Sequence, residues 1–197
     1  NGSRSFWYNL AENTVEQAKE FKDCRFVMFP PFVGIADVEN AMFESQGNVF
    51  LGAQDISETE KGAYTSQING EMLADMSCSY TLVGHSECRQ YLKQTDSQIA
   101  QKVLQAQKNS IHAVLCVGEN LEQFENEQSL DVVLNQLESA LIEGVNPALL
   151  TVAYEPVWAI GTGKVASIDD IKPVFAVIKQ TMLDKFGAKG NNVAILY

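Results

Sequence analysis

Short apolar runs alternate along the chain with segments in which apolar residues recur at helical spacing. The runs are brief and partly β-branched, as buried parallel strands are. They lie at residues 25–30, 49–55, 80–84, 113–118, 150–154 and 193–197. Repeated strand–helix units of this kind predict an α/β fold in which helices cover a parallel sheet.

The helical segments precede the first run and separate the others. We expect helices at residues 6–21, 38–44, 71–75, 88–107, 121–143 and 168–186. Ser167 and Asp170 have the spacing of a capping box and predict the start of the last helix. A closed barrel and an open doubly wound sheet are both built from such units, so this pattern alone leaves both open.

Polar residues at strand ends favour the barrel. They follow four of the predicted strands directly: Gln54 with Asp55, His85 with Ser86 and Glu87, Glu119, and Glu155. In a barrel of parallel strands the carboxyl ends meet at one mouth, where such enzymes place their chemistry. We therefore predict a barrel with a functional site at that mouth.

Composition narrows the functional classes. Of the 197 residues 46% are hydrophobic, which is enough for the core of one domain spanning residues 1–197. The formal net charge of −11 argues against nucleic acid and against an anionic membrane as partners. The cysteines lack the spacing of zinc or redox motifs, which favours a reduced intracellular protein. With no signal peptide and no apolar run near the ~20 residues of a membrane span, we expect a cytoplasmic location.

The segment at residues 151–167 combines a strand, a carboxylate and an apolar loop. Glu155 ends the strand, and Trp158 and Ile160 follow where a surface loop would ordinarily be polar, so we expect both to be buried. A carboxylate beneath such a loop would be partly desolvated, which raises its basicity and suits it to removing a proton from carbon. A solvated or ion-paired carboxylate at a strand end is the structural alternative.

His85 is one of two histidines and lies between a predicted strand and a predicted helix. The dipole at a helix N-terminus disfavours a positive ring, so a neutral imidazole there can donate a hydrogen bond to a developing oxyanion. A base for carbon and a neutral electrophile for oxygen together would form a site for enolisation. A structural histidine is the alternative, and we interpret His112 in that way.

Two other motifs suggest different chemistry but lack its context. Residues 161–166 match the G-x-G-x-x-A form of a dinucleotide-binding loop. Five residues separate this loop from Glu155 at the strand end, and Asp169 and Asp170 would face the pyrophosphate. Residues 84–88 resemble the nucleophile elbow of serine hydrolases but end without the required glycine. We therefore expect neither dinucleotide binding nor serine hydrolysis.

Three motifs carry a resemblance to a known family. They are AYEPVWAIGTGK at residues 153–164, VGHSE at residues 83–87, and Gln54 followed by GAYT at residues 62–65. With these motifs in order along the whole chain, the sequence resembles the triosephosphate isomerases. The resemblance implies a (β/α)8 TIM barrel and an isomerase of dihydroxyacetone phosphate and glyceraldehyde 3-phosphate in glycolysis and gluconeogenesis, without a cofactor or a metal. Another phosphosugar enzyme on the same barrel, and a protein that only binds or assembles, remain the alternatives.

The resemblance also implies roles for individual residues. Glu155 would be the base that moves a proton between two carbons, and His85 would polarise the carbonyl oxygens. Residues 156–166 would form a lid that closes over the phosphate with the Gly161 N–H. Around them, Ser86 would hold Glu155 while the lid is open, Glu119 would contact Trp158, Tyr197 would latch the closed lid, Ala166 would end the lid, and Glu87 and Cys116 would lie beside the site.

The resemblance further implies a homodimer in which the loop containing Gly62 and Thr65 enters the partner subunit. Gln67 and Cys88 stand where the family has the glutamate and the arginine of a salt bridge between subunits. The loss of both charges is explained either by neutral change, because exposed pairs contribute only ~0–1 kcal/mol, or by a weaker dimer.

The chain also departs from the family at its ends. It starts at Asn1 and Gly2, just after the family's catalytic asparagine and lysine. It stops at Tyr197, before the family's glycine-rich phosphate loop and eighth strand. We therefore expect an incomplete barrel made of the family's strands 2 to 7, truncated at both ends, and little activity from this chain alone.

Overall fold

Six parallel strands form one sheet in the computed structural model, which describes residues 2–43 and 47–197. The strands are β1 (Phe26–Met28), β2 (Val49–Ala53), β3 (Tyr80–Val83), β4 (His112–Val117), β5 (Leu150–Tyr154) and β6 (Ala194–Leu196). Their order in the sheet is their order in the chain, and each pairs in parallel with the next. All six agree with the predicted runs to within two residues at each end.

Eight α-helices connect and flank the strands in the described residues. They are α1 (Arg4–Ala18), α2 (Ile35–Met42), α3 (Gly70–Asp75), α4 (Ser86–Tyr91), α5 (Asp96–Lys108), α6 (Leu121–Glu125), α7 (Ser129–Ala140) and α8 (Ile168–Phe186). The helix predicted at residues 38–44 corresponds to α2, and Glu44 lies outside the described residues. The predicted capping box of Ser167 and Asp170 is present and opens α8. None of the helices described is both long and apolar enough to cross a membrane.

Two predictions of a single long helix are wrong. Residues 88–107 are divided between α4 and α5, because Lys93 has a φ of +56° and Thr95 starts a new helix with its own capping box. Residues 121–143 are divided between α6 and α7, and Glu127 between them also has a φ of +56°. Left-handed backbone cannot continue a right-handed helix, so one residue's conformation ends each helix.

The core lies between the sheet and the helices packed on it. Leu115 on β4 and Val152 on β5 are fully buried, as are Leu137 on α7 and Ile178 on α8. Each such side chain contributes roughly 1.5–3 kcal/mol by leaving water. The carboxyl ends of β4 and β5 are therefore anchored in close-packed surroundings, and the candidate site lies at the ends of these strands and of β3.

Candidate active site

The side chains of His85 and Glu155 contact each other although their strands are not neighbours. His85 follows β3 and Glu155 follows β5, with β4 between them. The His85 Nε2 atom lies 3.0 Å from the Glu155 Oε1 atom. Because the carboxyl ends of parallel strands in a curled sheet face one mouth, the two groups can reach one small molecule from different sides.

Helix α4 begins directly after His85 and orients its ring. The Nδ1 atom accepts a hydrogen bond of 3.3 Å from the Glu87 backbone N–H, so His85 caps the helix. A ring nitrogen that accepts carries no proton, which leaves the proton on Nε2, facing Glu155. The helix thus selects the tautomer that donates toward the carboxylate.

Contact with Glu155 favours the protonated form of His85, whereas the sequence predicts a neutral imidazole. The hydrogen bond with Glu155 raises the pKa of His85, burial of the ring lowers that pKa, and the charges of Glu155 and Glu87 raise it further. The net direction is upward, because the hydrogen bond to Glu155 is the largest effect. A substrate that separated His85 from Glu155 would remove this largest effect, and burial with the Glu87 N–H would then favour the neutral ring against the charge of Glu87.

Backbone groups of neighbouring strand ends hold Glu155. Its Oε2 atom accepts a hydrogen bond of 3.2 Å from the Ser86 N–H. Its own N–H donates to the Val117 carbonyl over 2.8 Å. The side chain is 19% exposed, so the carboxylate sits in the mouth with limited access to water. Ser86 therefore lies beside Glu155 and contacts it through the backbone.

The apolar loop after Glu155 covers the site differently from the sequence prediction. Trp158 is buried, but Ile160 is 52% exposed, so the expectation of burial is wrong for Ile160. The Trp158 ring stacks on Phe124 with centroids 4.1 Å apart, and its Nε1–H donates to Glu119 over 2.8 Å. These partners account for the burial of Trp158. Half of the Ile160 surface is in solvent, so Ile160 does not shield Glu155 from water as the sequence suggested.

Glu119 is a fully buried carboxylate among aromatic groups. It accepts hydrogen bonds from the Tyr154 hydroxyl at 3.0 and 3.2 Å, in addition to the one from Trp158. Burial, and then the Glu119 charge, raise the pKa of Tyr154, so its hydroxyl remains a donor. The contact between Glu119 and Trp158 fastens the start of the loop to the ends of β4 and β5.

Three more predicted residues lie in this loop or on the neighbouring strand β4. Gly161 is exposed with a φ of +69°, and in the described residues no heavy atom would lie within 4 Å of a Cβ atom placed there. Ala166, near the end of the loop, is buried. Cys116 is buried on β4, and burial raises the pKa of its thiol well above the usual range. Cys116 is therefore an uncharged packing residue at neutral pH.

Two predicted residues are largely exposed. The Glu87 side chain is 73% exposed, and its carboxylate lies 3.9 Å from the His85 Nδ1 atom. Tyr197 is 61% exposed, and its ring centroid lies 6.4 Å from that of Tyr154. Glu87 thus acts on His85 through its charge and its backbone N–H, whereas Tyr197 lies beside β5.

The polar residues at the end of β2 form a separate cluster. Both Asp55 carboxylate oxygens accept hydrogen bonds from the Nζ atom of the buried Lys102, at 2.8 and 2.7 Å. Gln94 donates to the same carboxylate over 2.7 Å, and Gln54 donates to the Phe29 carbonyl over 3.0 Å. Asp55 therefore connects the end of β2 to α5 and forms no hydrogen bond with His85 or Glu155.

Among residues 2–43 and 47–197, no group of three or more His, Cys, Asp or Glu side chains is arranged to hold a metal ion.

The sequence did not indicate two side chains that form hydrogen bonds with backbone groups around the site. Arg89 donates to the carbonyls of Gly84 and Cys116 over 2.8 and 3.4 Å. Gln136 accepts from the Gly118 N–H over 2.8 Å and donates to the Gly118 carbonyl over 3.2 Å. Each is a polar residue on a helix, and residue type alone does not show that its partners are backbone groups at strand ends.

Comparisons with known proteins agree on one family. The family model described as triosephosphate isomerase matches residues 1–197. Triosephosphate isomerase of Moorella thermoacetica is 39% identical over 197 residues, which cover 94% of this chain and 78% of that protein. The protein of the same name from Marinobacter nauticus is 40% identical over 200 residues, which cover 100% of this chain and 78% of that protein.

A solved structure has the same fold. The crystal structure of triosephosphate isomerase from Bartonella henselae matches with a TM-score of 0.86 at 29% identity, covering 100% of this chain and 78% of that chain. This likeness confirms the predicted fold class, an incomplete (β/α)8 barrel, of which the described residues form six strands. From the family model and the relatives together, the chain belongs to the triosephosphate isomerase family.

Proposed function

We propose that this protein interconverts dihydroxyacetone phosphate and glyceraldehyde 3-phosphate, with Glu155 as the base and His85 as the hydrogen-bond donor to oxygen. The observation that carries the proposal is the 3.0 Å contact between these side chains, which follow β5 and β3. Relatives at 39% and 40% identity are named triosephosphate isomerase, which supports the choice of substrate. The proposed setting is glycolysis and gluconeogenesis in the cytoplasm.

A three-carbon substrate between the two side chains would replace their contact with each other. Glu155 removes a proton from the carbon next to the carbonyl, and the electrons of that C–H bond form a carbon–carbon double bond while negative charge develops on the carbonyl oxygen. The His85 Nε2–H donates a hydrogen bond to this oxygen. Return of the proton from Glu155 to the other carbon, with transfer of one proton between the two oxygens, completes the isomerisation.

Residues 156–166 are the proposed lid. Trp158 and Ala166 anchor its two ends by burial, whereas Gly161 and Gly163 between them are exposed, with φ values of +69° and +75°. Such a segment can move in its middle while its ends stay in place. We assign the Gly161 N–H as a donor to the substrate phosphate. Closure would exclude water and protect the enediolate from losing its phosphate.

A coupled assay of isomerisation tests this proposal on the protein expressed from its gene. Glu155→Asp shortens the base by one methylene and should lower kcat by about 100-fold with little change in KM, because the carboxylate is misplaced by about 1 Å. His112→Asn is the control and should keep kcat, since His112 begins β4 at its amino end and bonds Thr151 over 2.9 Å. Wild-type protein without turnover would favour a binding-only role, and an unchanged kcat for Glu155→Asp would exclude Glu155 as the base.

We also propose a homodimer formed through the loop that contains Gly62 and Thr65. The loop leaves Tyr64 exposed, which supplies apolar surface for a partner. Sedimentation at micromolar concentration tests the assembly. A tight dimer would show that Gln67 and Cys88 do not weaken the association, a reversible dimer would support weakening, and a monomer would contradict the dimer.

A further inference from the structure

The edge of β4 that faces β3 is open beyond the end of β3. Successive residues of a parallel strand direct their backbone groups to opposite sides. On the β5 side, the Val117 carbonyl accepts from the Glu155 N–H over 2.8 Å, and the Glu119 carbonyl accepts from the Val157 N–H over 3.1 Å. Gly118 therefore directs its N–H and carbonyl to the other side, where β3 has already ended.

The side chain of Gln136, on α7, occupies this open edge. Its Oε1 atom accepts from the Gly118 N–H over 2.8 Å, and its Nε2 atom donates to the Gly118 carbonyl over 3.2 Å. A side-chain amide carries the same donor and acceptor as a peptide group. Gln136 thus satisfies both backbone groups of Gly118, as one residue of a neighbouring strand would.

Gly118 in turn lies directly against the backbone of Glu155. A Cβ atom added to Gly118 would be 1.7 Å from the Glu155 carbonyl oxygen and 2.7 Å from its carbonyl carbon. At this separation a displacement of Gly118 toward β5 has to displace Glu155 as well. Gln136 and Glu155 also line the same cleft, which has a volume of about 510 Å³.

We propose that Gln136 is a positioning residue for the reaction: it holds Gly118 from one side and so fixes the backbone of Glu155 on the other. The inference rests on the proposed role of Glu155 as the base. Gln136 acts through the position of that base and not through the substrate. Its removal should therefore lower kcat and leave KM nearly unchanged.

Gln136→Leu removes both hydrogen bonds with a side chain of similar size. We expect kcat to fall about tenfold with KM within about twofold, because a misplacement of 1 Å costs about 100-fold and a smaller shift costs less. Asn135→Leu changes the exposed neighbour on α7 and is the matched control, which should keep kcat. A Gln136→Leu variant with the kcat of the control would overturn the inference.

Gln136→Glu separates positioning from folding. An ionised glutamate accepts from the Gly118 N–H but repels its carbonyl, whereas a protonated one accepts and donates as the amide does. The kcat of this variant relative to wild type should rise as pH falls from about 6.5 to about 4, the range in which a glutamate of ordinary pKa, ~4.3, gains its proton, measured where both proteins are fully folded. A ratio that does not change with pH would overturn the positioning role.

A double-mutant cycle with Glu155→Asp distinguishes this inference from the proposed function. If Gln136 acts through Glu155, Gln136→Leu should lower kcat by a smaller factor in the Glu155→Asp background than in wild type. Equal factors would overturn the positioning role and leave the base assignment intact. A Glu155→Asp variant with unchanged kcat would instead overturn the proposed function.

Discussion

Replacing Gly118 with alanine would force the end of β4 and the backbone of Glu155 apart. The added Cβ atom would lie 1.7 Å from the Glu155 carbonyl oxygen, which is a backbone atom and cannot rotate away. An ordinary contact begins at 3.4 Å, so the distance has to become roughly twice as large. Position 118 therefore requires glycine because there is no room for a side chain. Its backbone conformation would not require glycine, since its φ lies outside the left-handed region.

The consequence should be larger for activity than for stability. If the two segments share the movement, Glu155 shifts by about 1 Å, which corresponds to a loss of about 100-fold in kcat. Overpacking costs about 1–3 kcal/mol. The two backbone hydrogen bonds on either side of Gly118, from Glu155 to Val117 and from Val157 to Glu119, would be weakened, and each loss adds about 1 kcal/mol. We expect the free energy of unfolding to fall by about 3–5 kcal/mol in total.

The measurement combines the coupled assay with urea unfolding. Gly47→Ala is the matched control, because among the described residues no heavy atom would lie within 4 Å of its Cβ atom. The control should keep both kcat and the urea midpoint. Gly118→Ala with both values unchanged would refute the crowding, and a variant that is destabilised but has normal kcat would refute the link between Gly118 and the position of Glu155.

Three further predictions concern stability. Lys102→Met leaves the Asp55 carboxylate without its buried partner and should lower the free energy of unfolding by about 3–5 kcal/mol in urea titrations. Ser66→Gly should raise the free energy of unfolding by about 1 kcal/mol, because Ser66 has a φ of +74°, which glycine adopts without strain. Burial, and then the Arg25 charge, lower the pKa of His112, so the unfolded chain binds this proton more readily and stability falls as pH drops below about 6.5. His112→Asn should therefore reduce the stability lost between about pH 7 and about pH 5.

Each of these stability predictions has a control or a contrary outcome. Adding Asp55→Asn to Lys102→Met should recover most of the loss, and no recovery would mean that packing of the lysine stem is the cause. A lower urea midpoint for Ser66→Gly would show that the freedom gained by the unfolded chain outweighs the strain relieved. If His112→Asn loses as much stability on acidification as wild type, another group is responsible.

The sequence predicted the strands well because their burial on both faces leaves continuous apolar runs, as in β4 and β5. It did not predict the helix breaks at Lys93 and Glu127, since the left-handed conformation of these residues has no signature in residue type. One signal was present and was missed. Thr95 with Gln98 has capping-box spacing and marks the start of α5.

The site was predictable where it depends on strand ends and unpredictable where it depends on contacts between distant elements. His85 and Glu155 each follow a strand directly, and the parallel sheet brings them together. Ile160 was expected to be buried because it is apolar, but residue type does not tell which side of a loop faces the core. Gln136 and Lys102 are polar helix residues whose partners are set by how α7 and α5 pack.

Neighbours in the sheet are also neighbours in the chain throughout the described strands. Pairing between consecutive units closes shorter loops than pairing between distant ones, so less chain entropy opposes each step. Each strand with its helix can therefore dock on the preceding unit soon after it leaves the ribosome. During synthesis, the strand made last would always form one of the two sheet edges open to aggregation, and β1 would form the other.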